Sequence, residues 1–317
     1  MITCTPEKVK ERFGDLFCGR FLVMVDERAG MAEIIEQCTA RGPVEWDAAN
    51  RLRAGGATLS CRVEGSTLTL RAKLGSYPVR FGAASKDIGG QALEGVEADG
   101  DRVITSWAGI AGAGVGVAAC LPQAPGVIRA EYPDEEDLSV GGARTNRVRI
   151  ISPRYEKVTI GIDDTDTREK GATWVMALNC GKECSIPGVE FLDMRLVQLN
   201  PEAPKKTTNC VSSALNFAVR PGAIDALLSY VKKYVVERTY SPDTGIAVYR
   251  GIEVPETEFA RRVKTDLLSL EDAEDEAGRL GITFIDDYRR KGRIGAIGAV
   301  LWANRGIEAA GLYGESF

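Results

Sequence analysis

Val158, Ile160 and Ile162 alternate through a short β-branched strand that runs straight into three aspartates within four residues, Asp163, Asp164 and Asp166. A helical pattern starts near residue 172, so the carboxylates fill the turn of a strand-to-helix unit. Three like charges this close repel, and something must offset that repulsion. On the triplet alone two readings stand. One is a Mg²⁺ ion held by hard oxygen ligands and shared with substrate phosphates. The other is a solvated acidic turn whose side chains cap the next helix.

The flanking residues favour the first reading. Gly171 and Thr173 precede the apolar stretch Trp174-Val175-Met176-Ala177-Leu178, and a helix start of this kind offers free N–H groups and a positive dipole end to phosphate. Further on, Leu199-Asn200-Pro201-Glu202-Ala203-Pro204-Lys205-Lys206-Thr207-Thr208-Asn209 is a proline-extended loop whose lysines suit charge neutralisation on a transferring phosphoryl group. The chain has no histidine, which disfavours Ser–His or Cys–His triads and His-ligated zinc and leaves the chemistry to carboxylates, lysine, hydroxyls, thiols or a bound cation.

Its 317 residues suit two or more domains, and a net charge of −5 gives the whole molecule no attraction for nucleic acid or anionic membrane, though a local basic groove stays open. No apolar run reaches the roughly 20 residues of a membrane helix, and the N-terminus lacks a signal-peptide pattern, so a cytoplasmic protein is expected. Eight scattered cysteines read as free thiols; Cys180 and Cys184, with Cys210, are a weak metal candidate against buried apolar residues.

Along residues 1–150 the pattern is mixed α+β: a strand at 20–25, helices near 31–40 and 45–53, and a hairpin of Thr58–Val63 and Thr67–Ala72 around Glu64-Gly65-Ser66. Gly109, Gly112, Gly114 and Gly116 fit a glycine-bearing strand better than a nucleotide loop, because Pro122 and Pro125 stop any following helix. The charged and glycine-rich stretch 132–144 reads as a boundary whose linker ends near Pro153. Beyond it come strands at 157–162, 190–199 and 245–250 and helices from 172, near 209–218, 222–236 and 255–280. Glu271–Glu276 reads as the start of a helix, and Asp286 and Asp287 as a surface turn rather than a second metal contact.

Two of these motifs, Gly161 to Thr173 and Leu199 to Asn209, resemble those of the archaeal synthetase that attaches agmatine to the wobble cytidine of isoleucine tRNA. A glycine-rich piece, Gly292-Arg293-Ile294-Gly295-Ala296-Ile297-Gly298-Ala299, resembles a segment of that family's ferredoxin-like domain. The resemblance spans about residues 155–305. It implies a kinase-like domain at 151–240 and a ferredoxin-like domain at 241–317, after an N-terminal α+β domain at 1–150 of unassigned role. It implies ATP and Mg²⁺ as cofactors, with Asp163, Asp164 and Asp166 on the metal, Gly161, Asp166, Gly171, Asn200 and Thr207 around the nucleotide, and Asp163, Asp164, Thr173 and Lys206 in catalysis. Thr173 falls at the position of a threonine phosphorylated in that family. Trp174 stands where the family has a second threonine, and Thr208-Asn209 where it has an arginine–glycine pair.

The chain ends at Phe317 and has no Cys-x₂-Cys pair for the zinc ribbon with which those enzymes grip tRNA, so tRNA is not an expected partner. The arrangement of an N-terminal domain before Gly161-Ile162-Asp163-Asp164-Thr165-Asp166-Thr167 resembles methanogenesis marker protein 11. The expectation is therefore a methanogenesis-associated ATP- and Mg²⁺-dependent transferase or ligase acting on a small molecule or protein side chain. The alternative is a nucleotide-binding assembly or maturation factor with little catalysis.

Overall fold

The structure is a computed structural model that describes residues 1–204, 206–287 and 291–317. It is a mixed α/β protein with two compact units, Met1–Tyr155 and Glu156–Phe317. Along the first unit lie β1 (Ile2–Cys4), α1 (Pro6–Phe13), β2 (Cys18–Asp26), β3 (Met31–Cys38), α2 (Arg41–Ala54), β4 (Thr58–Glu64), β5 (Thr67–Lys73), β6 (Gly75–Ser76), β7 (Gln91–Asp99), β8 (Arg102–Ile110), α3 (Gly112–Val115), β9 (Arg129–Tyr132) and the first half of β10 (Thr145–Asp163). The second unit takes the rest of β10, then α4 (Thr173–Glu183), β11 (Val189–Gln198), β12 (Val211–Val219), α5 (Ile224–Arg238), β13 (Gly245–Arg250), α6 (Glu258–Thr265), α7 (Leu270–Leu280), β14 (Thr283–Phe284), α8 (Gly292–Trp302) and α9 (Ile307–Ala310). Among the described residues no helix is long and apolar enough to cross a membrane.

In the first unit β4-β5-β3-β2 form an antiparallel ladder, and β2 meets β10 in parallel through Val23 and Met24. β10 also pairs with β8, which continues to β7 and β6. Phe21, Leu70, Leu93, Trp107, Tyr132 and Ile150 fill the core between them. The hairpin of β4 and β5 is as expected, with Gly65 at φ 60° in its turn. Three expectations are corrected here. Residues 31–38 form a strand because β2 and β5 flank them on both edges, and that pairing overrides a spacing that also suits a helix. The glycine stretch becomes helical after β8, as α3 and then a wide turn over Gly116–Cys120; Gly109 and Gly114 permit close packing against Ala113 and the Asn146 side chain. The expected linker ending near Pro153 is instead strand, since 145–153 pair with β8.

The second unit is a three-layer sandwich around the sheet β11-β12-β10-β13-β14, whose neighbours are all antiparallel. Val158, Ile160 and Ile162, with Leu215, Phe217 and Val248, face a core shared with α4 and α5. Ala214 and Ala247 face the other way, onto α6, α7 and α8. The helix expected at 209–218 is corrected to β12: its run Ala214-Leu215-Asn216-Phe217-Ala218-Val219 is buried on both faces, so it shows no polar side to distinguish strand from helix. α7 starts as read, with Ser269 and Asp272 closing a reciprocal capping box and Gly281 ending it in the left-handed conformation.

Candidate active site

The topology gathers the site at one end of this sheet. β10 ends at Asp163 opposite Gly245, where β13 begins, while Ile162 lies opposite Ser213 near the start of β12. The loops 164–172, 199–210 and 239–244 therefore leave the sheet at the same end, and α8 starts there as well, because the Gly292 N–H donates to the Asp243 carbonyl at 2.8 Å.

Glycines set how closely α8 approaches. A side chain on Gly161 would collide with the Ala296 carbonyl, and one on Gly295 would overlap the Asp163 carboxylate. Gly292 likewise leaves room for the backbone at Asp243 and for Asp164. The first turn of α8 thus lies directly against the carboxylate turn. This gives Gly161 a packing role, and it gives the glycine-rich segment 292–298 a place in the site that its sequence alone did not assign.

The turn is held in an uncommon conformation. Asp164 sits at φ 53°, a left-handed backbone that aspartate tolerates better than most residues. Thr244 donates its hydroxyl to the Asp164 carbonyl at 2.9 Å, and the Tyr240 N–H and Thr239 hydroxyl donate to the Thr165 carbonyl at 2.9 and 3.2 Å. Thr173, buried at the first position of α4, donates to Asp166 Oδ1 at 3.1 Å and accepts from the N–H of Thr165 at 3.3 Å. Its hydroxyl is thus spent on holding the turn. Gly171 at φ 90° packs against Asp166 and the Tyr240 ring, where a side chain would have no space.

Burial pushes the Asp163 carboxyl well above the usual range, helped by the charges of Asp164 and Asp166 and opposed by the Asp164 N–H. Asp164 is pushed up to about 6 by burial and then by Asp243 and Asp166. Asp243 is a fourth carboxylate that the sequence reading missed; the signal was an acidic turn, Ser241-Pro242-Asp243-Thr244, immediately before a strand antiparallel to β10. No ion pair among the described residues neutralises Asp163, Asp164, Asp166 or Asp243. Nor do three or more His, Cys, Asp or Glu side chains among the described residues form a ready-made metal cage. Crowded hard oxygens with no countercharge among the described residues still suit Mg²⁺, which takes one or two carboxylates and completes its shell with water and phosphate oxygens.

The 199–210 loop is closed by the Leu199 N–H to the Cys210 carbonyl at 2.7 Å. Asn200 is buried and committed to structure, donating to the Asp266 carbonyl at 2.9 Å and accepting from the Glu202 N–H at 2.9 Å. Lys206 Nζ donates to the Pro201 carbonyl, Thr207 is half-buried, and Lys205 lies outside the described residues. The Cys210 thiol links this loop to the turn: burial pushes it up to about 12, the charges of Asp163 and Asp164 push the same way, and Lys206 pulls it down. Cys180 is buried in the core shared with α4, its thiol raised by burial, which is the apolar fate. Asp286 is corrected from a surface turn: it pairs with Arg293 of α8 at 2.6 Å and accepts from the Ile246 N–H at 3.2 Å, fixing α8 to the start of β13.

Uncharacterized protein MJ0921 of Methanocaldococcus jannaschii is 36 % identical over 282 residues, covering 88 % of this chain and 91 % of that protein. The chain belongs to the MJ0921 family. Within this family member, residues 159–223 match the family model of the TiaS TCKD domain. Similar relatives include the tRNA(Ile2) 2-agmatinylcytidine synthetases TiaS of Pyrobaculum neutrophilum, 32 % identical over 152 residues, and Archaeoglobus fulgidus, 27 % identical over 157 residues. Each match covers 45 % of this chain and 35 % of the synthetase, so the chain spans about a third of those relatives. A crystal structure of the TiaS–tRNA(Ile2)–ATP complex aligns with a TM-score of 0.42 at 24 % identity, covering 46 % of this chain and 36 % of that one.

These relatives overturn the expectation that tRNA is no partner, since the proteins matched across the carboxylate turn are named for modifying tRNA. The expectation rested on the missing Cys-x₂-Cys pair of a tRNA-gripping zinc ribbon together with a net charge of −5, and that charge sums the whole chain and says nothing of the surface beside one site.

Proposed function

We propose that the unit 156–317 of this MJ0921-family protein carries an ATP- and Mg²⁺-dependent transferase or ligase site. The observation that carries the reading is the set of carboxylates Asp163, Asp164, Asp166 and Asp243, in no ion pair among the described residues and gathered at one sheet end beside the Lys206 loop and the start of α8. The match to tRNA-modifying synthetases over the same residues supports it.

Asp163 and Asp164 would hold Mg²⁺, with Asp166 and Asp243 completing the acidic surround. The ion, when bound, supplies positive charge against nucleotide phosphates and sets their orientation. Lys206 releases the Pro201 carbonyl and neutralises phosphate charge. Thr173 acts through Asp166, fixing its carboxylate and the loop that carries it. Gly161, Gly171 and Gly295 keep the carboxylates and the first turn of α8 close together, and Thr207 contacts the nucleotide from the loop. We propose further that the family serves methanogenesis, a reading supported by the motif arrangement and by the organism of the 36 % identical relative.

The test is turnover. The full chain is incubated with ATP and MgCl₂, with and without archaeal bulk tRNA, and ADP, AMP, phosphate and pyrophosphate are followed. Nucleotide cleavage that disappears in Asp164→Ala and in Lys206→Ala supports the assignment. ATP binding without cleavage under either condition would instead make the chain a nucleotide-binding assembly factor, and no binding at all would remove the site.

A further inference from the structure

The first unit holds a cavity of about 640 Å³ lined wholly by residues between Phe17 and Ala143, none of which the proposed ATP chemistry uses. That volume is typical of a small-molecule site. Its walls are mostly apolar, and Phe17 and Trp46 line it while remaining half exposed.

Beneath it lies a built polar cluster. Arg51 is fully buried, bonds Glu36 through two nitrogens at 2.5 and 2.9 Å, donates through Nε to Gln91 Oε1 at 2.5 Å, and lies 4.5 Å over the Trp107 ring. Arginine only donates, so the oxygen of the Gln91 amide has to face it and the nitrogen has to face away. Gln91 is itself fully buried and lines the cavity, and its Nε2 finds no acceptor in hydrogen-bond geometry. The Asp47 carboxylate, also on the cavity wall, is held down by that amide against the upward push of burial. A buried donor left unsatisfied in this way is costly, and a ligand atom would relieve the cost.

The backbone of the wall carries strain at the same place. Ala111 sits at φ 57° and ψ −125°, a region that only glycine enters freely, and the wide helical turn Gly116–Cys120 follows. A side chain on Gly116 would come within 3.2 Å of Gln91 Nε2, so glycine there keeps the amide accessible. The charges set the ligand class. Arg51 is spent on Glu36 and Gln91, and Asp47 adds a carboxylate, so the cavity has no cation left to receive a phosphate or carboxylate.

We propose that this cavity binds a neutral or cationic, largely apolar small molecule presenting a hydrogen-bond acceptor to Gln91 Nε2 and a donor to the Asp47 carboxylate, as an amide or an amino-substituted heteroaromatic ring does. Three nearly isosteric probes test it on the full chain: benzamide, benzamidine and benzoate, titrated by saturation-transfer NMR and thermal shift. Benzamide, with an acceptor oxygen and a donor N–H, is expected to bind in the millimolar range fitting for fragments; benzamidine, which offers donors to Asp47 but no acceptor to Gln91, more weakly; and benzoate at least about tenfold more weakly than benzamide. Gly116→Val, which crowds the amide, and Trp46→Ala, a change at a half-exposed side chain whose folding is checked by thermal shift, are each expected to weaken benzamide about tenfold. Equal binding of benzoate, benzamidine binding as tightly as benzamide, no binding of benzamide, or unchanged benzamide binding in Trp46→Ala would overturn the proposal. ATP turnover does not enter these measurements, so the two readings stand or fall separately.

Discussion

Two clusters of charge, one in each unit, are built in opposite ways. Around Arg51 the anions Glu36 and Asp47 share a guanidinium that also meets Gln91 and the Trp107 ring, so the cluster supplies its own countercharge. At the carboxylate turn, Asp163, Asp164, Asp166 and Asp243 converge with no ion pair to any of them among the described residues, and the nearby Arg293 is already held by Asp286 and Glu274. A closed cluster fixes structure. An open one, with no countercharge among the described residues, gains stability from charge brought from outside, and that is why the second, and not the first, is read as a phosphate-transfer site.

Breaking the closed cluster gives the largest expected effect. Arg51→Met strands two carboxylates in the interior and is expected to cost roughly 3–5 kcal/mol of stability, measured as the shift of the denaturant midpoint. A loss below about 1 kcal/mol would show that the cluster hydrates readily and is no different in kind from the turn.

Next comes the pH response of Asp47, whose carboxyl burial raises from 3.8 to about 6 against the pull of Arg51. The folded state then binds more protons than the unfolded one, so stability falls as pH rises from about 4 to about 6 and levels off above that. The rise corresponds to at most roughly 3 kcal/mol. Asp47→Asn is expected to flatten this part of the stability profile, and a wild-type profile already flat between pH 4 and 6 would mean that Arg51 satisfies Asp47 fully.

The two clusters also differ in how far the sequence revealed them. The turn was legible because its aspartates are neighbours in the chain and end a β-branched strand, and its bracing at Thr173 and Gly171 lies within ten residues. Asp243, Gly292 and Gly295 join it only through antiparallel pairing across β13 and the packing of α8, which no local pattern encodes. The Arg51 cluster draws on Glu36, Asp47 and Gln91 from separate elements, and the strand holding Glu36 reads locally as a helix. The fold was misjudged for the same reason at Met31–Cys38 and Val211–Val219, where burial on both faces or competing periodicities remove the signal that separates strand from helix.

For catalysis the comparison predicts a smaller but sharper effect. Lys206→Ala is expected to lower ATP turnover about a hundredfold, near 2.7 kcal/mol of barrier, while leaving the denaturant midpoint nearly unchanged, because Lys206 holds only its own loop in the resting state. Turnover within a factor of two of wild type would move the phosphate-neutralising role away from this loop.

The smallest expected effect separates open from closed most directly. Without divalent cation, Asp163→Asn removes one of several mutually repelling carboxylates and is expected to raise stability by on the order of 1 kcal/mol, the opposite sign to Arg51→Met. Wild type is expected to gain about 1.4 kcal/mol when Mg²⁺ is present at tenfold its dissociation constant, and Asp163→Asn to gain much less. A metal that stabilises both equally would be bound elsewhere, and an asparagine that destabilises the metal-free protein would mean that the carboxylate is already satisfied within the fold. Either result would erase the contrast between the clusters, because the turn would then carry its own compensation as the Arg51 cluster does.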